Sequence, residues 1–87
     1  DLGNIAMMPC GEIMYPEAAR MFMLRGAEVL LHPTSDHGAS DMWSWESAKK
    51  VRASENMMFL ISANQTGQIG GPLPQGSTAG HSKIYDW

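Results

Sequence analysis

Three short apolar runs, each closed by a breaker or a polar turn and separated by stretches of helical character, leave this chain few ways to fold. Ile5-Ala6-Met7-Met8 ends at Pro9. Glu28 to His32, with Val29, Leu30 and Leu31 inside it, ends at Pro33. Met58 to Ala63 precedes a stretch from Asn64 to Gly80 that is rich in Gly, Pro, Gln, Ser and Thr and reads as a loop. Apolar runs this short, bounded by breakers, read as buried strands. Between the first two, Pro16 suits a first helical turn, where its missing N–H costs nothing. Glu17 suits the positive helix N-terminus. Ala18, Ala19, Met21, Phe22 and Leu24 continue the helix to Arg25, and Gly26 is a natural stop. A polar loop from Thr34 to Ser40 then leads into a second helix over 41–56, capped by Ser40 or Asp41. That helix carries Trp43, Trp45, Ala48, Val51 and Ser54, with Lys49, Lys50 and Arg52 among its polar residues. Glu46 and Lys50 are spaced to pair across one turn. Ser82 to Tyr85 begins a fourth strand. The order strand, helix, strand, helix, strand, loop, strand is the α/β signature, with neighbouring strands mostly parallel.

At 87 residues the chain offers at most one domain, and a core this small is marginal without further support. The single cysteine excludes an intramolecular disulfide and fits a reducing, cytoplasmic setting. The opening at Asp1 and the stop at Trp87 read as cuts in a longer domain. A net charge of −3 with scattered Lys and Arg argues against a nucleic-acid partner. Runs such as Met57 to Ile61 are far too short to cross a bilayer, so no membrane partner is expected. No signal-peptide pattern opens the sequence. Eight Met and three Trp imply a buried interior or an adaptable interface.

Cys10 stands between a strand and a helix, where α/β sheets bind ligands. A sharp strand-to-helix turn can present a nucleophile to an open pocket, and Gly11 eases such a turn. Equally, a free cysteine is often a small buried hydrophobe. His32, His37 and His81 match no compact metal motif, and no metal or cofactor is expected. Asp36, His37 and Cys10 could imitate a Cys–His–Asp triad. Gly67, Gly70 and Gly71 follow a strand, but Pro72 and Pro74 come next where a phosphate-binding helix would open. Trp43 and Trp45 read as packing residues, against the sheet or a second subunit.

The segment from Gly3 to Arg20 resembles the nucleophile segment of the nitrilase superfamily of carbon–nitrogen hydrolases. An apolar strand leads into Cys10, Gly11 and Glu12, and Tyr15-Pro16-Glu17 opens a helix. Pro9 departs from the apolar residue of that pattern. Further blocks follow in the family's order. Arg25 to Pro33 resembles its Gly-Ala-Glu strand, Lys50 to Asn56 its Arg-Ala-x-Glu-Asn helix, and Met58 to Asn64 its strand ending in Ala-Asn. Gly80, Ser82, Ile84 and Asp86 resemble its Gly-x-Ser-x-Ile-x-Asp. Each block is weak alone, and together they are specific.

The resemblance implies an α/β fold in which 1–87 is part of a single domain, a partial αββα sandwich with one sheet face lacking its partner sheet. It implies cleavage of a non-peptide C–N bond through a covalent intermediate on Cys10, with the backbone N–H of Gly11 as an oxyanion donor. Amide and N-carbamoyl substrates are favoured over nitriles, because Tyr15-Pro16-Glu17 looks closer to amidase and carbamoylase segments. The family's catalytic Glu and Lys lie upstream of its Cys. None of the nine residues before Cys10 is Glu or Lys, so the 87 residues alone are expected to be inactive. Neither Glu12 nor Lys49 takes those roles; Glu12 is expected to orient the turn by hydrogen bonding. The resemblance also implies a homo-oligomer paired through helices 16–25 and 41–56. The first of these is apolar almost all round, more than one sheet face requires. The alternatives are a non-catalytic α/β binding module and a nitrilase-like interaction domain without activity.

Overall fold

The computed structural model describes residues 3–36, 42–65 and 80–87. The chain forms one four-stranded sheet in the order β1-β2-β3-β4, from β1 (Ile5–Met7), β2 (Val29–Thr34), β3 (Phe59–Asn64) and β4 (Lys83–Tyr85). β1, β2 and β3 are parallel, and β4 returns antiparallel on β3. Helix α1 (Pro16–Leu24) and helix α2 (Met42–Asn56) make the two parallel crossovers. A short 3-10 turn (Cys10–Met14) precedes α1. The expected order of elements is present.

Several boundaries differ from expectation by one or two residues. Pro33 does not end β2 but lies inside it, in register with Ala63. Peptide groups alternate sides along a strand, and the Leu31 carbonyl accepts from Met8 N–H on the β1 side while the Thr34 carbonyl accepts from Gln65 on the β3 side. The missing N–H of Pro33 therefore faces the side where β1 has already ended, and no ladder bond is lost. The third strand runs on to Asn64, and the fourth begins at Lys83, just after Ser82, whose Oγ accepts from the Asn64 N–H. The expected caps of α2, Ser40 and Asp41, and the glycines Gly67, Gly70 and Gly71 lie outside the described residues.

Both termini of α1 follow the sequence. Pro16 opens it, and Gly26 closes it at φ 89. Ala27 N–H reaches the Phe22 carbonyl and Gly26 N–H the Met23 carbonyl, the paired bonds of a Schellman stop. α1 packs on α2 and the 3-10 turn. Ala19 is buried, Phe22 and Met23 pack against the core, and Met21 and Leu24 stay exposed.

One sheet face carries the core. Leu30 and Leu60 are buried there with Met8, Ile13, Ala19, Ala53 and Met58. The other face shows Ile5, Met7, Phe59 and Ile84 to solvent. The inward stripe of α2 was not legible as an apolar one. Lys49, Arg52, Ala53 and Asn56 are buried, whereas Trp43 and Val51 are exposed. Glu46 does not pair with Lys50; its carboxylate accepts instead from Tyr85 OH (2.7 Å) and Lys83 Nζ (3.3 Å) on β4.

Candidate active site

Cys10 comes after β1, past Met8 and Pro9, and is the first residue of the 3-10 turn. In a parallel sheet the carboxyl ends of neighbouring strands share one edge, so Cys10 stands on the same edge as Thr34 and Asn64. Pro9, extended at φ −83 and ψ 146, ends the strand and caps the turn. Cys10 itself takes φ 47, a left-handed conformation that costs a side-chain-bearing residue about 1–2 kcal/mol. The bend is thus absorbed by the cysteine and not by Gly11, whose backbone lies outside the left-handed region. A β-carbon on Gly11 would meet Trp45 at an ordinary 3.9 Å. The thiol is exposed, which removes the reading of Cys10 as a buried hydrophobe.

Two groups hold this strained turn from beneath. The His32 ring is fully buried, with Nε2 2.9 Å from the Cys10 carbonyl and Nδ1 3.1 Å from Ser62 Oγ. A carbonyl only accepts, so Nε2 carries the proton. Burial lowers the pKa of His32 below its ordinary 6.5, outweighing the Cys10 bond that pulls it upward. The neutral ring leaves Nδ1 to accept from Ser62 O–H. Arg52 supplies the second hold. Its Nε donates to the Ile13 carbonyl (3.0 Å) and its Nη2 to the Met14 carbonyl (3.4 Å), while Nη1 pairs with Glu55 (3.0 Å). The turn uses the backbone of Glu12, whose N–H donates to Pro9 and whose carbonyl accepts from Tyr15.

A polar cluster lies further along the same edge. Lys49 and Asp36 form an ion pair at 2.5 Å with both side chains fully buried. The Thr34 hydroxyl donates to the other Asp36 oxygen. Asn64 accepts from Asp36 N–H (2.9 Å) and donates to Asp36 Oδ2 (3.3 Å) and to the Gly80 carbonyl. Each oxygen of the buried carboxylate is therefore bonded, as a buried charge requires. The Cys–His–Asp arrangement that the sequence left open rests on His37, so it lies outside the described residues, and His81 is exposed. On the next strand, burial and the Glu46 bond both raise the pKa of Tyr85. For Glu46, burial pulls upward, but the bonds from Tyr85 and Lys83 outweigh it and the carboxyl stays below its ordinary value.

A cleft of about 370 Å³, lined by Asn4, Ile5, Ala6, Phe22, Arg25 and Ala27, opens beside the start of β1 and does not include Cys10. Among the described residues, no three His, Cys, Asp or Glu stand close enough to hold a metal ion.

Sequence reasoning singled out Cys10 and Gly11 as candidates and did not foresee His32, Ser62, Asp36 and Lys49 as buried partners on the same edge. A signal existed for the first two. His32 and Ser62 occupy inward positions of strands whose neighbouring inward positions are Leu30 and Leu60, and a polar side chain there needs a partner.

The sequence profile of the carbon–nitrogen hydrolase family matches residues 1–87. A probable nitrilase of Schizosaccharomyces pombe is 36% identical over 83 residues, covering 94% of this chain and 28% of its own length. The N-carbamoylputrescine amidase of Solanum tuberosum is 33% identical over 71 residues, covering 75% of this chain and 24% of its own. A carbon–nitrogen hydrolase from Helicobacter pylori superposes with a TM-score of 0.86 at 26% identity over 99% of this chain and 34% of its own. A mutant amidase from Nesterenkonia sp., solved with the acetamide moiety of fluoroacetamide added covalently at its active-site cysteine, superposes with a TM-score of 0.79 at 28% identity, covering 94% of this chain and 29% of its own. The chain thus spans about a third or less of the length of these proteins. With a full-length profile match and a shared fold, it belongs to the carbon–nitrogen hydrolase family of the nitrilase superfamily.

Proposed function

We propose that these 87 residues are the nucleophile-bearing part of a single hydrolase domain that cleaves an amide or N-carbamoyl C–N bond, with Cys10 as the nucleophile. The observation that carries this reading is an exposed thiol held at φ 47 at the carboxyl edge of a parallel sheet. Strain of this kind persists where surrounding structure over-determines it, and His32 and Arg52 supply that structure. Relatives named amidase and N-carbamoylputrescine amidase support amide and N-carbamoyl substrates, while one named a probable nitrilase keeps nitriles in the test panel.

In this reading the Cys10 thiolate attacks the carbonyl carbon, an S–C bond forms and the carbonyl electron pair moves onto oxygen. The Gly11 N–H, in the first turn of the 3-10 segment and so without an acceptor inside that turn, is placed to stabilise the oxyanion. Collapse breaks the C–N bond, and the nitrogen departs with a proton from a general acid. Water then attacks the thioester, the C–S bond breaks, and acid and thiol are released. The proton-transferring glutamate and the charge-stabilising lysine that the family uses come from outside these residues. The isolated 87 residues should therefore be inactive, because general acid–base and electrostatic stabilisation each contribute about a hundredfold or more.

The test is Cys10→Ala in the complete hydrolase, read as ammonia release from a panel of aliphatic amides and N-carbamoyl amines. Turnover should vanish. Undiminished turnover would exclude Cys10, and absence of turnover in the wild type on every amide, carbamoyl and nitrile substrate would favour a non-catalytic module of the same fold.

We further propose that α1 and α2 pair with a second copy of the protein in a reducing, cytoplasmic setting. Leu24 is 75% exposed and Trp43 73%, an apolar surface the described residues do not cover. Leu24→Glu should move the complete protein toward monomer in sedimentation with its circular dichroism unchanged. A wild type that is monomeric at every concentration would rule the interface out.

A further inference from the structure

We propose that His32 is a positioning residue for the nucleophile: through its Nε2–H bond to the Cys10 carbonyl it sets the direction of the Gly11 N–H that receives the oxyanion. This inference rests on the reading of Cys10 as nucleophile and of Gly11 as oxyanion donor.

The argument is geometric. The Cys10 C=O and the Gly11 N–H belong to one peptide unit, and no described peptide is cis. In a trans unit the two bonds point in opposite directions within one plane. Fixing the carbonyl therefore fixes the N–H. His32 lies on the buried face, fully enclosed, and pulls the carbonyl inward at 2.9 Å. The Gly11 N–H is thereby turned away from the core, at the start of a turn whose first residue is the exposed Cys10.

The His32 ring cannot easily swing away from this task. Ser62, its partner across the β2–β3 register, holds Nδ1 at 3.1 Å and so fixes the ring plane, while the Cys10 carbonyl places the proton on Nε2. The carbonyl bond survives protonation of the ring, because Nε2 carries a hydrogen in both the neutral and the charged form. The arrangement is thus a brace and not a pH switch. It also accounts for the energetics of the turn. Cys10 at φ 47 is unfavourable alone, and a part-buried hydrogen bond to its own carbonyl offsets some of that cost locally.

In the complete hydrolase, His32→Leu removes the donor at similar bulk, while His32→Gln keeps an N–H at nearly the same reach. The expectation for His32→Leu is a fall in kcat of about tenfold to a hundredfold with KM changed less than about threefold, as loss or misdirection of one oxyanion donor produces. His32→Gln should recover most of the loss. A purely structural role would lower the melting temperature in both variants and leave kcat of the folded fraction unchanged.

Should His32→Leu fail to fold, Ser62→Ala serves, with a smaller fall in kcat expected because the ring is then free to turn or to take the other tautomer. Nitrogen NMR of the wild-type imidazole gives a readout free of turnover: the proton should sit on Nε2. A proton on Nδ1, or wild-type kcat in both His32→Leu and Ser62→Ala, overturns the proposal. The two readings separate cleanly. If Cys10→Ala is inactive while His32→Leu turns over normally, the nucleophile stands and the brace falls; if Cys10→Ala retains turnover, the hydrolase reading itself fails.

Discussion

The two ends of the buried sheet face are built from the same register but from opposite chemistry. Going along β2 and β3, the facing inward pairs are Leu30 with Leu60, His32 with Ser62, and Thr34 with Asn64. The first pair sits in the apolar core. The second is joined by a hydrogen bond, and the third is tied to the Asp36–Lys49 ion pair. All of these residues are buried. Burial therefore does not distinguish the ends; what satisfies the buried groups does. The apolar end gains stability from area removed from water. The polar end gains little net stability, because desolvation offsets much of what its bonds return. It gains direction instead, since hydrogen bonds fix orientation and packing alone does not. Cys10 stands above the polar end.

The strongest way to break this comparison is to remove one charge at the polar end. Lys49→Ala should destabilise the complete domain by about 3–5 kcal/mol, because it strands the Asp36 carboxylate in the interior. Replacing both partners with apolar residues of similar volume should be nearly neutral for chemical denaturation. At the apolar end, Leu60→Ala should cost about 2–5 kcal/mol with no second substitution able to restore it. If the double variant at 36 and 49 proves as unstable as Lys49→Ala, the polar end contributes stability in its own right and the contrast between the ends fails.

A subtler effect should come from pH. Burial holds the His32 pKa below 6.5, so the folded ring stays neutral while the unfolded chain gains a proton as pH falls past 6.5. The unfolded state then binds more protons, and stability declines on acidification. This contribution is fully present above 6.5 and drains away as pH falls toward the lowered folded value. His32→Gln removes the group. Its melting temperature should fall less than that of the wild type between about pH 7 and about pH 5.5. Equal slopes in the two proteins would show that the ring titrates alike folded and unfolded, and would sharpen the contrast against a buried, neutral His32.

The element order, the start of α1 at Pro16, its stop at Gly26 and the position of Cys10 after a strand were all legible in the residues. Each follows from local rules: a fixed φ in proline, a free φ in glycine, and the period of apolar residues. The sequence also carried the family, because ordered blocks of residues survive as a pattern even where no single block is decisive. What it did not carry is the environment of polar side chains. Lys49 and Arg52 look like the solvated side of an amphipathic helix, and nothing within α2 reveals otherwise. Their burial depends on Asp36 arriving from the end of β2 and on the Ile13 and Met14 carbonyls arriving from the 3-10 turn. The bond from His32 to the Cys10 carbonyl joins residues 22 apart in sequence, and the one from Arg52 to Ile13 joins residues 39 apart. Tertiary structure alone decided these pairings, because a hydrogen bond is selected by direction and distance in space, and residue type fixes neither.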